Sequence, residues 1–309
     1  MMAFNIENAI KTVKKYQKYD LNQLQEKLSK ADQKAREELK NATDSGLKDF
    51  YKQATAYRNY WNLENLTNDY ITAMELNGIN VFNFGLYVYY AIATWLPAHS
   101  YIWQEHSSKW NFKDKNVRAM LIYRLYQNYM TLAEYALILQ LSNIYPNAYV
   151  IRHRTLDTIQ GIDMILWNNY KANSIHVQRK KLEHRYIEKS KKGGAIRNSY
   201  SGKTVDFYNN VRDFKTDLEV TICYDLVGHG FIFDDTEINK LFKCDGRIKQ
   251  EDLQTYVEKL LYKARAIDKD RKYNNIPNDF VLRPIADYTM AYGYLSFLDW
   301  RKLHQQQTN

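Results

Sequence analysis

The chain opens on a long amphipathic pattern. Ile10, Val13 and Tyr16 are three apart, and Leu21, Leu24, Leu28 and Ala31 follow at spacings of three and four. Such spacing gathers apolar side chains on one side of a helix. Residues 5–42 therefore read as helix, with Gln17 as the polar point where the two runs join. Residues 45–76 repeat the pattern through Leu47, Phe50, Tyr51, Ala54, Tyr57 and Trp61. Ile79 to Pro97 is uncharged and carries Phe82, Phe84, Leu86, Tyr87, Val88, Ile92 and Trp95. It approaches the ~20 residues of a membrane span. Asn80 and Asn83 interrupt it and polar amphipathic helices flank it, so it reads as a buried helix ended by Pro97. Residues 99–115 look like a polar connection, and 116–143 form a further helix candidate.

After Pro146-Asn147 the period changes from helical to alternating. Three short runs follow, Tyr149 to Thr155, Ile159 to Trp167 and Asn173 to Arg179, the last two joined by the turn-like segment 168–172. A basic, glycine-containing stretch occupies 179–203, and residues 204–216 read as helical. Leu218 to Tyr224 reads as a strand, Gly228 and Gly230 frame a turn, and Phe231 to Phe233 is a short strand. Residues 235–309 look mostly helical. The expectation is an α/β protein with a mixed central sheet and flanking helices. Residues 1–115 would be a helical region for dimerisation or target recognition, 116–245 the core, and 246–309 a helical C-terminal region.

Composition sharpens this picture. With 11 Gly and 4 Pro, against about 22 and 15 at average usage, the chain has few breakers, and helix should dominate. The 27 Tyr suit cores and wet interfaces alike, since the ring is apolar and the tip polar; core packing is the favoured reading. Cys223 and Cys244 are the only cysteines and form no CxxC pair, which argues against a metal knuckle and for buried thiols in a reducing, cytoplasmic compartment. The N-terminus becomes charged at Lys11, Lys14, Lys15 and Lys18 and shows no signal-peptide core. The net charge of +9 suits a polyanionic partner, because cations placed against phosphates release counterions.

The chemistry gathers in Gly161-Ile162-Asp163-Met164-Ile165-Leu166 and Ile175-His176-Val177-Gln178-Arg179-Lys180. On a strand, residues two apart share a face. Alternation puts His176, Gln178 and Lys180 together, opposite Ile175 and Val177. On the neighbouring strand it sets Asp163 opposite Ile162, Met164 and Leu166. A hairpin then assembles a carboxylate, an amide and an ammonium on one polar sheet face. A carboxylate holds a hard cation through oxygen, the cation polarises a phosphoryl group, and a nearby Lys orients water or offsets developing charge.

This pattern resembles the catalytic core of Mrr-type restriction endonucleases, a branch of the PD-(D/E)XK nuclease superfamily in which Gln replaces the usual Glu. The resemblance covers roughly residues 118–235. It implies a PD-(D/E)XK-like sheet and a metal-dependent endodeoxyribonuclease of restriction or defence type, using Mg²⁺ or Mn²⁺. Asp163 would bind the metal with Gln178 and the Arg179 carbonyl, and Lys180 would be the catalytic lysine. Glu134, on the helix before the first strand, matches a family Glu. Its helical neighbours Met130, Leu137, Ile138 and Leu141 put it on an apolar face, where a carboxylate needs a partner; a metal or Lys180 would provide one. Arg179 departs from the small or apolar residue usual at its position. A second register sets His176 at the Glu position and Gln178 at the Lys position, leaving no catalytic lysine and a DNA-holding relic.

The stretch after the catalytic strand carries nine basic residues against two acidic ones. Lys181, Arg185, Lys189, Lys191, Lys192, Arg197 and Lys203 are its expected phosphate contacts. His229, between Gly228 and Gly230, reads as a turn residue before a substrate contact. DNA is the expected partner, with no membrane, and cutting both strands with one site per chain would favour a homodimer. The alternatives are a catalytically degenerate DNA-binding module and a helical, partner-binding protein of a mobile element.

Overall fold

The computed structural model describes residues 5–56, 60–61, 63, 65–79, 81–99, 114–153, 162–168, 171–179, 218–233, 235–242, 253–260 and 280–285. They divide into two compact units. One holds the residues up to Ala133 with Leu226–Gly230, and the other holds Glu134–Asp225 and the residues from Phe231 to 285.

The first unit is helical: α1 (Ile6–Gln17), α2 (Leu21–Lys40), α3 (Ser45–Ala56), α4 (Leu66–Leu76), α5 (Phe84–Tyr90), a π-helical turn (Ala91–Trp95), α6 (Leu96–His99) and α7 (Lys115–Tyr129). Two of the long helices read from periodicity are divided here by local chemistry. Asp20 caps α2, its side chain taking the Gln23 N–H while the Gln23 side chain takes the Asp20 N–H. This capping box satisfies amides that the preceding helix cannot, so the chain restarts rather than running through. The expected helix over 45–76 likewise becomes α3 and α4, with turn residues at 60, 61 and 65 between them. Pro97 does not end its helix. The helix widens to a π turn at Ala91–Trp95 and continues to His99, and a wider turn accommodates a residue that has no N–H to donate.

The core of this unit is aromatic. Phe84 meets Tyr16, Tyr126 and Tyr129 edge-on, at centroid separations of 5.2, 5.7 and 5.4 Å. Three of the hydroxyls find partners: Tyr126 donates to the Leu21 carbonyl, Tyr129 to the His229 carbonyl, and Tyr87 to Asn128 Oδ1. Gly85 lets α5 approach α1, since a Cβ there would lie 2.6 Å from the Val13 Cα. The uncharged segment is thus core, and among the described residues no helix is long and apolar enough to cross a membrane.

The second unit holds α8 (Leu132–Ile144) and a mixed sheet: β1 (Tyr149–His153), β2 (Met164–Asn168), β3 (Lys171–Arg179), β4 (Leu218–Val227), β5 (Gly230–Phe233) and β6 (Phe280–Pro284). The strand order is β5-β4-β3-β2-β1-β6. β1, β2 and β3 form an antiparallel meander, and β4 lies parallel to β3. The expected helix over 116–143 is split, because the turn at Met130–Thr131 separates α7 from α8. The region expected to be mostly helical after residue 235 contributes α9 (Asp235–Ile238), a 3₁₀ turn (Asn239–Phe242) and helical residues 253–260, here α10. It also contributes the strand β6, antiparallel to β1 at the sheet edge. Phe280-Val281-Leu282 favours a strand, and Pro284 fits an edge, where one side of the ladder is unused.

β2 is buried along Met164–Trp167 without alternation. Ile165 and Trp167 pack with Ile151, Ala172 and the α10 residues Tyr256, Val257 and Leu260. Ile162 belongs to this cluster rather than with Met164 and Leu166. The expected open polar face over β2 is therefore a packed core face, covered by a helix.

Candidate functional site

Asp163 sits where β2 leaves β3. The ladder pairs Met164 with Ile175, which would set Asp163 opposite His176. Instead the Asp163 N–H donates to the Ile175 carbonyl at 3.1 Å, one residue out of register. This offset accounts for the change of face at Ile162. The carboxylate then replaces the missing backbone acceptor, with Oδ2 taking the Val177 N–H at 2.6 Å. A charged acceptor on a backbone amide makes a strong, short bond, so Asp163 caps the freed edge of β3.

Gln178 is the next residue along β3. It is half-buried and lies opposite Cys223 of β4, while Arg179 closes the strand opposite Tyr224. β3 and β4 pair without a break from Asn173 to Arg179. Alternation from Ala172, which packs under α10, therefore carries through Ser174 and His176 to Gln178. The Asp163 carboxylate thus meets β3 at the residue before Gln178. Asp163, Gln178 and the Arg179 carbonyl each carry an oxygen donor of the hard kind that suits Mg²⁺.

Glu134 has a partner of its own. Its Oε2 accepts from the Arg152 guanidinium at 2.5 Å, with both side chains largely buried. Ile151 lies on the α10 face with Ala172, so Arg152 lies on the other, and the Arg152 partner of Glu134 is across the sheet from Gln178. The need for a partner that the apolar helix face imposes is met by a guanidinium on β1. Among the described residues no three of His, Cys, Asp and Glu come together as metal ligands.

Lys180 lies outside the described residues, as do Lys181, Arg185, Lys189, Lys191, Lys192, Arg197 and Lys203. His176, the pivot of the second register, is half-buried. One acid was missed: Asp225, two residues beyond Cys223 and so on the Gln178 face of β4. It is the one carboxylate within the otherwise uncharged run Val220-Thr221-Ile222-Cys223-Tyr224-Asp225-Leu226, and that single charge was its available signal.

His229 is a structural residue of the helical unit. Gly228, at φ +56°, supplies the left-handed turn. The His229 Nδ1 accepts the Phe84 N–H at 3.1 Å, which leaves the proton on Nε2, 2.8 Å from the Tyr19 carbonyl it faces. Burial lowers its pKa, with the neighbouring carbonyls of Tyr19 and Tyr16 pulling the other way. Cys223 is buried, and Cys244 lies outside the described residues. No protein-family model, no curated protein and no solved structure matches the chain.

Proposed function

We propose that the sheet unit is the core of a metal-dependent endodeoxyribonuclease of the PD-(D/E)XK kind, serving restriction or defence. The observation that carries this reading is the junction itself, with Asp163 fixed beside the Gln178 end of β3 by its bond to the Val177 amide. The mixed sheet and the net charge of +9 agree with it. Asp163, Gln178 and the Arg179 carbonyl would hold the divalent cation, with Glu134, now paired with Arg152, as the further candidate ligand. The cation, when bound, polarises a phosphoryl oxygen and lowers the pKa of water. Asp163 is held in place by the strand edge, a preorganisation that such chemistry rewards. Lys180 is assigned the attacking water, and the basic residues of 181–203 the DNA backbone. A homodimer would allow both strands to be cut.

A second reading is favoured by one observation. Glu134 is already neutralised by Arg152 and the Asp163 carboxylate already serves a backbone amide, as in a DNA-binding module with no active site. A panel of plasmid and phage DNA, methylated and not, with Mg²⁺ or Mn²⁺, separates the two. Metal-dependent cutting lost in both Asp163→Ala and Lys180→Ala supports the nuclease. Salt-sensitive binding without cutting supports the module.

A further inference from the structure

The helical unit contains a cavity that the nuclease reading does not use. It is a half-open cavity of about 500 Å³ between α1, α2, the α5 and π-helical segment, and α7. This lies within the roughly 300–1,000 Å³ range of small-molecule sites. Leu28, Ile92 and Ile122 contribute to an apolar lining, while Lys15, Lys115 and Arg118 contribute three cations. None of the described residues lining it is acidic.

The three cations differ. Lys115 is paired with Glu38 at 3.1 Å. The Lys15 ammonium lies over the Tyr16 ring, 5.1 Å from its centroid. Arg118 makes no ion pair with another described residue. Tyr16, almost fully buried, also lines the cavity. Burial pushes its pKa up to about 12, with the Arg118 charge pulling it down, so the phenol stays protonated at neutral pH close to that guanidinium. One wall is the π-helical turn, an irregularity that recurs where helices serve function. An apolar cavity beside a guanidinium that has no ion pair with another described residue is complementary to an anionic head on an apolar body.

We propose that this cavity binds a free anionic amphiphile, a carboxylate with an unbranched apolar chain, its head on Arg118 and its tail on Leu28, Ile92 and Ile122. The test is isothermal titration of the whole chain with sodium decanoate below its micellar concentration, against uncharged decanol and cationic decylammonium. Decanoate should bind with one site per chain. Loss of one charge-assisted contact should weaken binding about tenfold or more, both for decanol and in Arg118→Gln. Ala93→Trp, which fills the cavity from an exposed position, should abolish binding while circular dichroism and melting stay as in the wild type. Absence of decanoate binding would overturn the proposal, as would equal binding of decanoate and decanol with no effect of Arg118→Gln. Sedimentation with anionic vesicles in place of decanoate binding would overturn it in favour of a lipid-surface site. None of these readouts depends on DNA cleavage.

Discussion

Asp163 carries two roles, and a pair of substitutions separates them. Its carboxylate caps the Val177 amide and, in the proposed reaction, holds the metal. Asp163→Ala leaves a half-buried amide without an acceptor and should cost about 1–3 kcal/mol of stability. Asp163→Asn keeps an acceptor oxygen and should recover most of that loss, as a urea denaturation series will show. Gly85 is a second position where a single group decides. Gly85→Ala sets a methyl 2.6 Å from the Val13 Cα, and neither helix backbone can yield cheaply. A loss of about 1–3 kcal/mol, read as a lower denaturation midpoint, is expected from such overpacking.

At the scale of elements, His229 ties the β4–β5 turn to Phe84 and Tyr19. Its folded pKa is lowered by burial, so the unfolded chain takes up the proton first. The associated stability is present above the ordinary imidazole pKa of about 6.5 and is lost as pH falls below it. The midpoint of the wild type should therefore drop more steeply between pH 7 and pH 5 than that of His229→Gln; parallel profiles would contradict the assignment. The Glu134–Arg152 pair joins α8 to β1. A double-mutant cycle with Glu134→Gln and Arg152→Met should give a coupling of about 1 kcal/mol or more. Removal of Arg152 alone should cost more than removal of both partners, because a half-buried carboxylate then loses its guanidinium.

These elements mark what the sequence could and could not convey. The strands β1, β3 and β4 were legible from alternation and turn residues, which are local signals, and β2 from a short apolar run bounded by turn residues. The breaks at Asp20 and Met130–Thr131 were obscured because the apolar spacing continues across them, although Asp20 with Gln23 is a readable cap. The change of face at Ile162 was not legible, since a one-residue offset leaves no mark in hydrophobic spacing. The partner of Glu134 was foreseeable as a need but not as Arg152, because pairing between α8 and β1 depends on the packing of the sheet. β6 escaped because a five-residue edge strand in a helix-rich context carries too little pattern to stand out.

At the scale of the whole molecule, the proposed reaction is DNA cleavage at the β2–β3 junction. The basic balance of the chain predicts binding that weakens steeply with salt, with a slope in log–log form that counts the neutralised phosphates. Charge-reversing Lys191 and Lys192 together should flatten that slope by about two, as fluorescence anisotropy against a labelled duplex will report. Binding alone does not decide between enzyme and module. The most direct test is the cleavage rate of Asp163→Asn beside the wild type in Mg²⁺, with melting temperature measured on the same preparations. The account predicts an unchanged fold and a cleavage rate reduced by about two orders of magnitude or more, since the loss is of charge at the metal and not of the strand cap. Wild-type cutting by a well-folded Asp163→Asn would contradict it and leave Asp163 as a strand cap alone.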